Sequence, residues 1–539
     1  MRALTNAWMR VSAVCLLAGG VCAYAQNAAD VAPAAAVPVV LQPERNTCPD
    51  RAEPVALGTA LWNGWGRDLD NSRYQPEPAI RASDVSKLAL KWSFGYQAGG
   101  EFGQPTVVDG RLFLAAASGR IYSLDAKTGC TYWTFDAPVG SRTAISIGEL
   151  GQSKKVVLPK RLKRTLAHLD VIKAPSVAIF GDDSGSVYAL DAQRGTLVWK
   201  TQIESHPLAR IVGAPTLYNN RLYVSVASTE EAMAAKPGYS CCTFRGSVAA
   251  LDLATGKLLW KSFTVLEEPQ PTRKSSSGVQ EFAPAGAAVV DAPTIDTKRG
   301  VLYVGTGGST TSIEQSLTDA IVALDLDSGK LRWVKQLARA GEMGSSGFSS
   351  SPILRTLASG NQVILAGQRS GVMYALDPDH GGEVIWQTRA AETPPAGAAQ
   401  AGGGIVWGMA ADYKYVYVGL TGPGSLNAID LKTGAPRWHA ASPTPSCAWS
   451  DGVCSHGLSQ AVTVMPGSAF CGSLDGHFRA YSSIDGKVLW DFDTAQALHP
   501  VNGVAARGGP LDRGGATIVN GMVYINSGNA LLAFSTGPS

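Results

Sequence analysis

Eight tryptophans, Trp92, Trp133, Trp199, Trp260, Trp333, Trp386, Trp438 and Trp490, recur along the chain, and the last seven close the same short phrase. In Asp191-Ala192-Gln193-Arg194-Gly195-Thr196-Leu197-Val198-Trp199, Gly stands four residues before Trp and Asp eight before it. The frame returns as Asp125, Gly129, Trp133; Asp252, Gly256, Trp260; Asp325, Gly329, Trp333; and Asp430, Gly434, Trp438. One copy carries an extra residue between Asp377 and Gly382, and Ser482 replaces Asp in the last. Each copy reads as strand, tight turn, strand: Val187-Tyr188-Ala189-Leu190 alternates like a half-buried strand, and Gly supplies a turn residue with φ > 0. Upstream lies another pair of candidate strands, such as 214–217 and 221–224, giving four strands per unit.

A unit this small cannot bury both faces, so repeated units stack around an axis. Trp92 has no turn phrase of its own, and the C-terminal runs 522–525 and 530–534 have no Trp. The N-terminal strand around Lys91-Trp92-Ser93-Phe94 is therefore expected to complete the last unit. The prediction is an all-β, eight-bladed propeller over 61–539, its ring closed between the N- and C-terminal strands. Most markers lie 52 to 73 residues apart, more than the ~40–50 of compact blades, so large loops decorate the ring.

Residues 1–25 carry Arg2 and Arg10, an apolar run from about Val11 to Val21, and Ala23-Tyr24-Ala25, the pattern of a secretory leader. A mature start near Gln26 and a periplasmic or secreted location follow. Residues 26–60 begin with an Ala-, Val- and Pro-rich stretch and read as a flexible lead-in. The 46 basic and 43 acidic side chains leave an almost neutral mature chain, which argues against nucleic-acid binding. No stretch beyond the leader is apolar enough to span a membrane. The one dense basic run, 154–164, reads as a solvated insertion, with a polyanion or lipid headgroup as the alternative ligand.

Seven cysteines remain after the leader, in a compartment that permits disulfides. Cys447 and Cys454 share one loop and are expected to pair; Cys48 with Cys130 would tie the lead-in to the ring; Cys471 reads as a buried thiol. Adjacent Cys241 and Cys242 either close a strained, readily reduced ring or remain two separate thiols. No Cys-x-x-Cys-His occurs, so attached c-type haem is not expected.

Trp62-Asn63-Gly64-Trp65-Gly66-Arg67-Asp68, Phe102-Gly103-Gln104-Pro105-Thr106, Cys241-Cys242-Thr243-Phe244-Arg245-Gly246-Ser247 and Gly472-Ser473-Leu474-Asp475-Gly476-His477 resemble the polyvinyl-alcohol dehydrogenases, a group within the periplasmic quinoprotein alcohol dehydrogenases. The resemblance spans roughly 60–539. It implies pyrroloquinoline quinone (PQQ) at the ring axis with Ca²⁺, an alcohol substrate that loses hydride to the quinone, and a separate electron acceptor such as a cytochrome c or a small carrier. Carried over residue by residue, Glu230 matches the calcium carboxylate. Arg142, with Thr143 beside it, matches a cofactor-binding arginine, and Arg369 the cation near the quinone oxygens. Cys241 and Cys242 are similar to the vicinal pair that faces the quinone, although their place after Glu230 differs.

The chain departs from that pattern at five positions. Gly347 stands where the family's base carboxylate is expected, which leaves Glu342 as the nearest candidate base. Gly308 follows Gly305-Thr306-Gly307 where an Asn or Asp metal ligand is expected; Val290 replaces the Trp that underlies the cofactor; Val212 replaces a Thr and Val406 a polar residue. These losses predict weak or absent calcium-assisted hydride transfer. Two functions remain open: a PQQ-dependent dehydrogenase of secondary alcohols, and a noncatalytic propeller that binds or assembles partners.

Overall fold

A computed structural model describes residues 41–49, 55, 57–58, 61–98, 103–151, 175–236, 238–313, 315–337, 347–390, 403–422, 424–443, 447 and 455–537. The chain folds into eight antiparallel four-stranded blades, in sequence order within blades 1 to 7, with the short strand Ala209–Arg210 added to the second strand of blade 3. Blades 1 to 7 span 106–136, 146–202, 216–263, 294–336, 353–389, 410–441 and 463–493. Blade 8 holds Thr517–Val519, Met522–Ser527 and Ala530–Ser535, and its outermost strand is Ala89–Gly95 from the other end of the sequence. Trp92 pairs there with Ala533. The first strands of successive blades pack on one another around the axis, while the fourth strands form the exposed rim.

The core is divided by the ring. One buried apolar cluster lies between each pair of neighbouring blades. Phe113, Ile121 and Trp133 of blade 1 meet Ala178, Phe180 and Leu190 of blade 2, and the closing interface of blades 8 and 1 is built alike from Phe94, Leu531, Leu112 and Tyr122.

The repeated phrase is the device that joins blades. Each marker indole lies across the turn glycine of the next blade: a Cβ on Gly256, at φ +67°, would sit 2.5 Å from Trp199, and one on Gly329 2.5 Å from Trp260. The indole N–H of Trp199 donates to Leu253 O and that of Trp260 to Leu326 O. Glycine is required twice over, for its left-handed turn and for the ring above it. The turn Asp accepts from its own loop, as Asp252 does from Thr255 N–H at 2.9 Å and Thr255 O–H at 2.6 Å, a local role. Blade 8 has no such turn, and Trp490 donates instead to Leu88 O, just before the strand that closes the ring.

The axis is filled from one end by residues 62–75. This segment visits nearly every blade: Trp62 bridges Val107, Asn63 bonds Ile147, Leu69 O accepts from Ile295, Asp70 O from Leu354 and Ser72 O from Ala411. Tyr74 then bridges Val464, and Gln75 donates to Ile518 O. At its centre Arg73 is buried, donating to Val462 O, Trp65 O, Gln104 Oε1 and Thr463 Oγ1. Its guanidinium lies 4.7 Å from the Trp65 ring and 5.7 Å from Trp62. Small residues two positions before the first strands make room for this pair: Ala144, Ala214 and Ala292 cluster around Trp65, and a Cβ on Gly408 would come within 3.1 Å of it.

Cys48 is bonded to Cys130, and Asn46 and Cys48 pair with Thr131 along the outer edge of blade 1. Cys241 and Cys242 are joined to each other, Cys471 is a free buried thiol, and Cys447 is disulfide-bonded. Cys454, the expected partner of Cys447, lies outside the described residues, as do the leader, the basic run 154–164 and Glu342. Among the described residues no helix is long and apolar enough to cross a membrane.

Candidate active site

Because strands alternate in direction, the short turns within each blade lie at one end of the ring, and the longer second-to-third-strand and inter-blade loops lie at the other. At that second end, above the 62–75 plug, a cavity opens on the axis. Its walls are residues that precede the first strands of seven blades: Gln104, Arg142, Val212, Asp291, Ser351, Trp407 and Arg513. Trp65 of the plug completes the lining.

Two cations and two indoles dominate the cavity. Arg142 pairs with Asp183 at 3.1 Å, and burial holds the Asp183 carboxyl above its ordinary range against the pull of Arg142, Arg210 and Arg513. The Arg513 guanidinium stacks 4.6 Å above Trp407. The Trp65 indole N–H is buried without a hydrogen-bond partner. Ser349 donates to Val406 O at 2.9 Å, and Ser351 Oγ accepts the Ala292 N–H at 3.0 Å. Two guanidinium groups beside two indoles suit an aromatic anion.

Of the residues singled out in the sequence, Arg142 lines the cavity, and so do Val212 and Val290. Thr143 is buried beside it, its hydroxyl accepting the Gly181 N–H. Gly347 packs on Gly307, where a Cβ would sit 2.9 Å from Gly307 Cα, and its carbonyl accepts the Arg369 N–H. Arg142, Val212 and Val290 thus meet at the cavity, while Gly347 meets Gly307 and Arg369. The Arg369 side chain is exposed, and Arg369, Cys241, Cys242 and Glu230 are absent from the cavity lining.

Glu230 is fully buried. Its Oε1 accepts from Tyr239 O–H at 2.9 Å and Thr243 N–H at 2.8 Å, and its Oε2 from Phe244 N–H at 2.8 Å. Hydrogen bonding to that carboxylate lifts the Tyr239 hydroxyl above its usual range, after burial as the larger cause. Both carboxylate oxygens thus hold the loop carrying Cys241 and Cys242. Calcium needs several oxygen ligands; Gly308 offers no side chain, and no group of three or more His, Cys, Asp or Glu side chains converges among the described residues. The described residues fit the quinone and do not fit the metal.

Trp65, Trp407, Arg513, Gln104 and Asp291 were not read from the sequence as site residues. A signal for several existed: Gln104-Pro105-Thr106, Ala214-Pro215-Thr216, Ala292-Pro293-Thr294 and Ser351-Pro352-Ile353 mark the starts of first strands, and the residues just before them face the axis.

The family model for the glucose/ethanol/alcohol dehydrogenase β-propeller domain matches residues 62–402, and that for the outer membrane protein assembly factor BamB matches 369–535. A polyvinylalcohol dehydrogenase of Pseudomonas sp. is 40% identical over 507 residues, covering 90% of this chain and 75% of the relative. That of Sphingopyxis sp. is 37% identical over 514 residues, with the same shares covered. Among solved structures, the quinohemoprotein alcohol dehydrogenase of Comamonas testosteroni superposes with a TM-score of 0.64 at 20% identity, covering 89% of this chain and 81% of that one, a likeness of fold. The chain belongs to the polyvinyl-alcohol dehydrogenases, oxidoreductases within the PQQ-dependent alcohol dehydrogenase propellers.

Proposed function

We propose that this protein is a periplasmic PQQ-dependent dehydrogenase that oxidises the secondary alcohol groups of a polyvinyl-alcohol type substrate and passes the electrons to a separate acceptor. The observation that carries this reading is the axial cavity, with Arg142 and Arg513 beside Trp65 and Trp407. PQQ, a planar tricarboxylate, supplies an acceptor for two electrons delivered as hydride. Arg142 and Arg513 bind its carboxylates, guanidinium forks suiting that geometry. Trp65 offers a flat face from below, the part that Val290 cannot play, and its N–H offers a donor. The 62–75 plug lies across the axis beneath the cavity, and shielding from water on that side strengthens the charge contacts inside. The leader-like residues 1–25 and the Cys48–Cys130 disulfide support the periplasmic location.

Addition of PQQ to the purified protein is expected to quench indole emission, to leave cofactor bound after desalting, and to permit dye reduction with a secondary alcohol. Binding without dye reduction supports the noncatalytic propeller instead; no binding removes the quinoprotein reading.

A further inference from the structure

The cation that blade 2 contributes to the cavity wall is held from behind. Arg142 donates from Nε to Asp183 Oδ2 at 3.1 Å, and both side chains are largely buried. Asp183 is absent from the cavity lining; it stands in the turn between the second and third strands of blade 2, and that turn is fixed on both sides. Asp183 N–H donates to Gly140 O at 2.9 Å, in the loop entering blade 2, and Ile211 N–H, in the loop entering blade 3, donates to Asp182 O at 3.0 Å. The two adjacent carboxylates differ in their partners. Asp182 is satisfied inside its own blade, Oδ1 accepting from Ser184 N–H at 2.9 Å and Ser186 N–H at 2.8 Å, and Oδ2 from the Tyr188 hydroxyl at 3.0 Å. Asp183 Oδ1 is buried and has no hydrogen-bond partner. Buried polar atoms are nearly always satisfied, and this oxygen is one on which a proton displaces no hydrogen bond.

We propose that Asp183 is a positioning residue for the cofactor and the seat of a proton taken up as the cofactor binds, a role that rests on the PQQ reading above. Oδ2 goes on accepting from Arg142 Nε, so the guanidinium stays aimed, while a proton on Oδ1 removes the negative charge that offsets it. Carboxylates brought close to one another oppose each other's ionisation, so an arriving tricarboxylate favours the protonated form of Asp183.

The charged groups that act on Asp183 come from three blade entries: Arg142 before blade 2, Arg210 before blade 3 and Arg513 before blade 8. All are cations. Asp182 adjoins it in sequence, and Asp291, the other carboxyl at the cavity, accepts the Gly305 N–H. Burial outweighs the three arginines and already holds the Asp183 carboxyl above its ordinary range; a bound anion pushes the same way. The protonated form binds the cofactor better, so affinity is greatest at low pH and declines as pH rises through the range in which Asp183 ionises.

The test uses the full chain as wild type, Asp183→Asn and Asp183→Ala, with PQQ as the ligand and indole quenching as the readout, so that no turnover is needed. Wild-type affinity is expected to fall by up to about tenfold per pH unit, the slope of one linked proton, and calorimetry in two buffers of different ionisation enthalpy is expected to show that proton entering the protein. Asp183→Asn keeps an oxygen for Arg142 and carries no charge; it is expected to bind at neutral pH as tightly as the wild type does in acid, and to take up one proton fewer. Asp183→Ala, which leaves Arg142 without that acceptor, is expected to bind more weakly than the Asn variant at every pH. An Asn variant with the wild-type pH profile overturns the proposal, as does a wild type that binds PQQ with neither pH dependence nor proton uptake, a result that needs no variant to fold. Equal affinities of the Asn and Ala variants overturn the positioning role. A wild type that shows no quenching at any pH overturns the quinoprotein reading and this role with it, before any variant is compared.

Discussion

At the scale of single residues, the site depends on side chains whose value comes from what surrounds them. Trp65 is half-buried, held between Arg73 beneath and the cavity above, and seated among Ala144, Ala214 and Ala292. Substituting Trp65→Leu is expected to weaken PQQ binding about tenfold, the size of an aromatic stacking contribution, and Trp65→Phe by less, measured by equilibrium titration. Equal affinity in all three proteins would remove Trp65 from the site. The sequence displayed Trp65 plainly, inside Trp62-Asn63-Gly64-Trp65, yet gave no sign that it faces the axial cavity. Its partners are 8 to 449 residues away along the chain, and only closure of the ring brings Arg73, Ala292 and Gly514 to it. Arg142 was legible because its neighbours in sequence resemble those of the family. Glu230 was legible as a buried carboxylate in a motif, but the Tyr239, Thr243 and Phe244 donors that occupy it became visible only in three dimensions.

At the scale of elements, blades and plug differ in how they announce themselves. The blades repeat, so each copy supports the reading of the others, and the turn glycines sit under the tryptophans that flagged them. The plug occurs once, has no period and contains no long strand; three of its non-glycine residues, Arg67, Asn71 and Arg73, adopt positive φ. Asn71 does so while donating to Ala292 O, Pro293 O and Thr294 Oγ1. Such a segment is shaped by the channel it fills. Within it, burial and Asp68 push Asp70 up to about 7, with Arg355 opposing. The folded state therefore holds the Asp70 proton more tightly than the unfolded state. Its contribution to stability is intact below the unfolded value near 3.8 and is lost as pH rises toward 7. Asp70→Asn is expected to raise the melting temperature at pH 8, by at most about 4 kcal/mol of stability, and to change little at pH 4. An equal shift at both pH values would contradict that account.

At the scale of the whole molecule, a ring is as secure as its closure. Blade 8 is held by Ala89–Gly95 pairing with Ala530–Ser535, by the apolar interface with blade 1, and by the Cys48–Cys130 disulfide on the rim of blade 1. That disulfide spans 82 residues and constrains the unfolded chain, a contribution of roughly 2–4 kcal/mol. Replacing both cysteines by serine is expected to lower the melting temperature while leaving the PQQ affinity unchanged, since neither residue lines the cavity; a melting temperature equal to that of the oxidised wild type would deny the disulfide this role. The amino-acid sequence by itself determined the blade count, the closing strand and the family, because these follow from local patterns repeated many times. The tertiary structure decided what fills the axis and which side chains face the cavity. Those depend on seven loops and one unrepeated segment meeting at a common axis, and contacts between residues hundreds of positions apart leave no periodic trace along the chain.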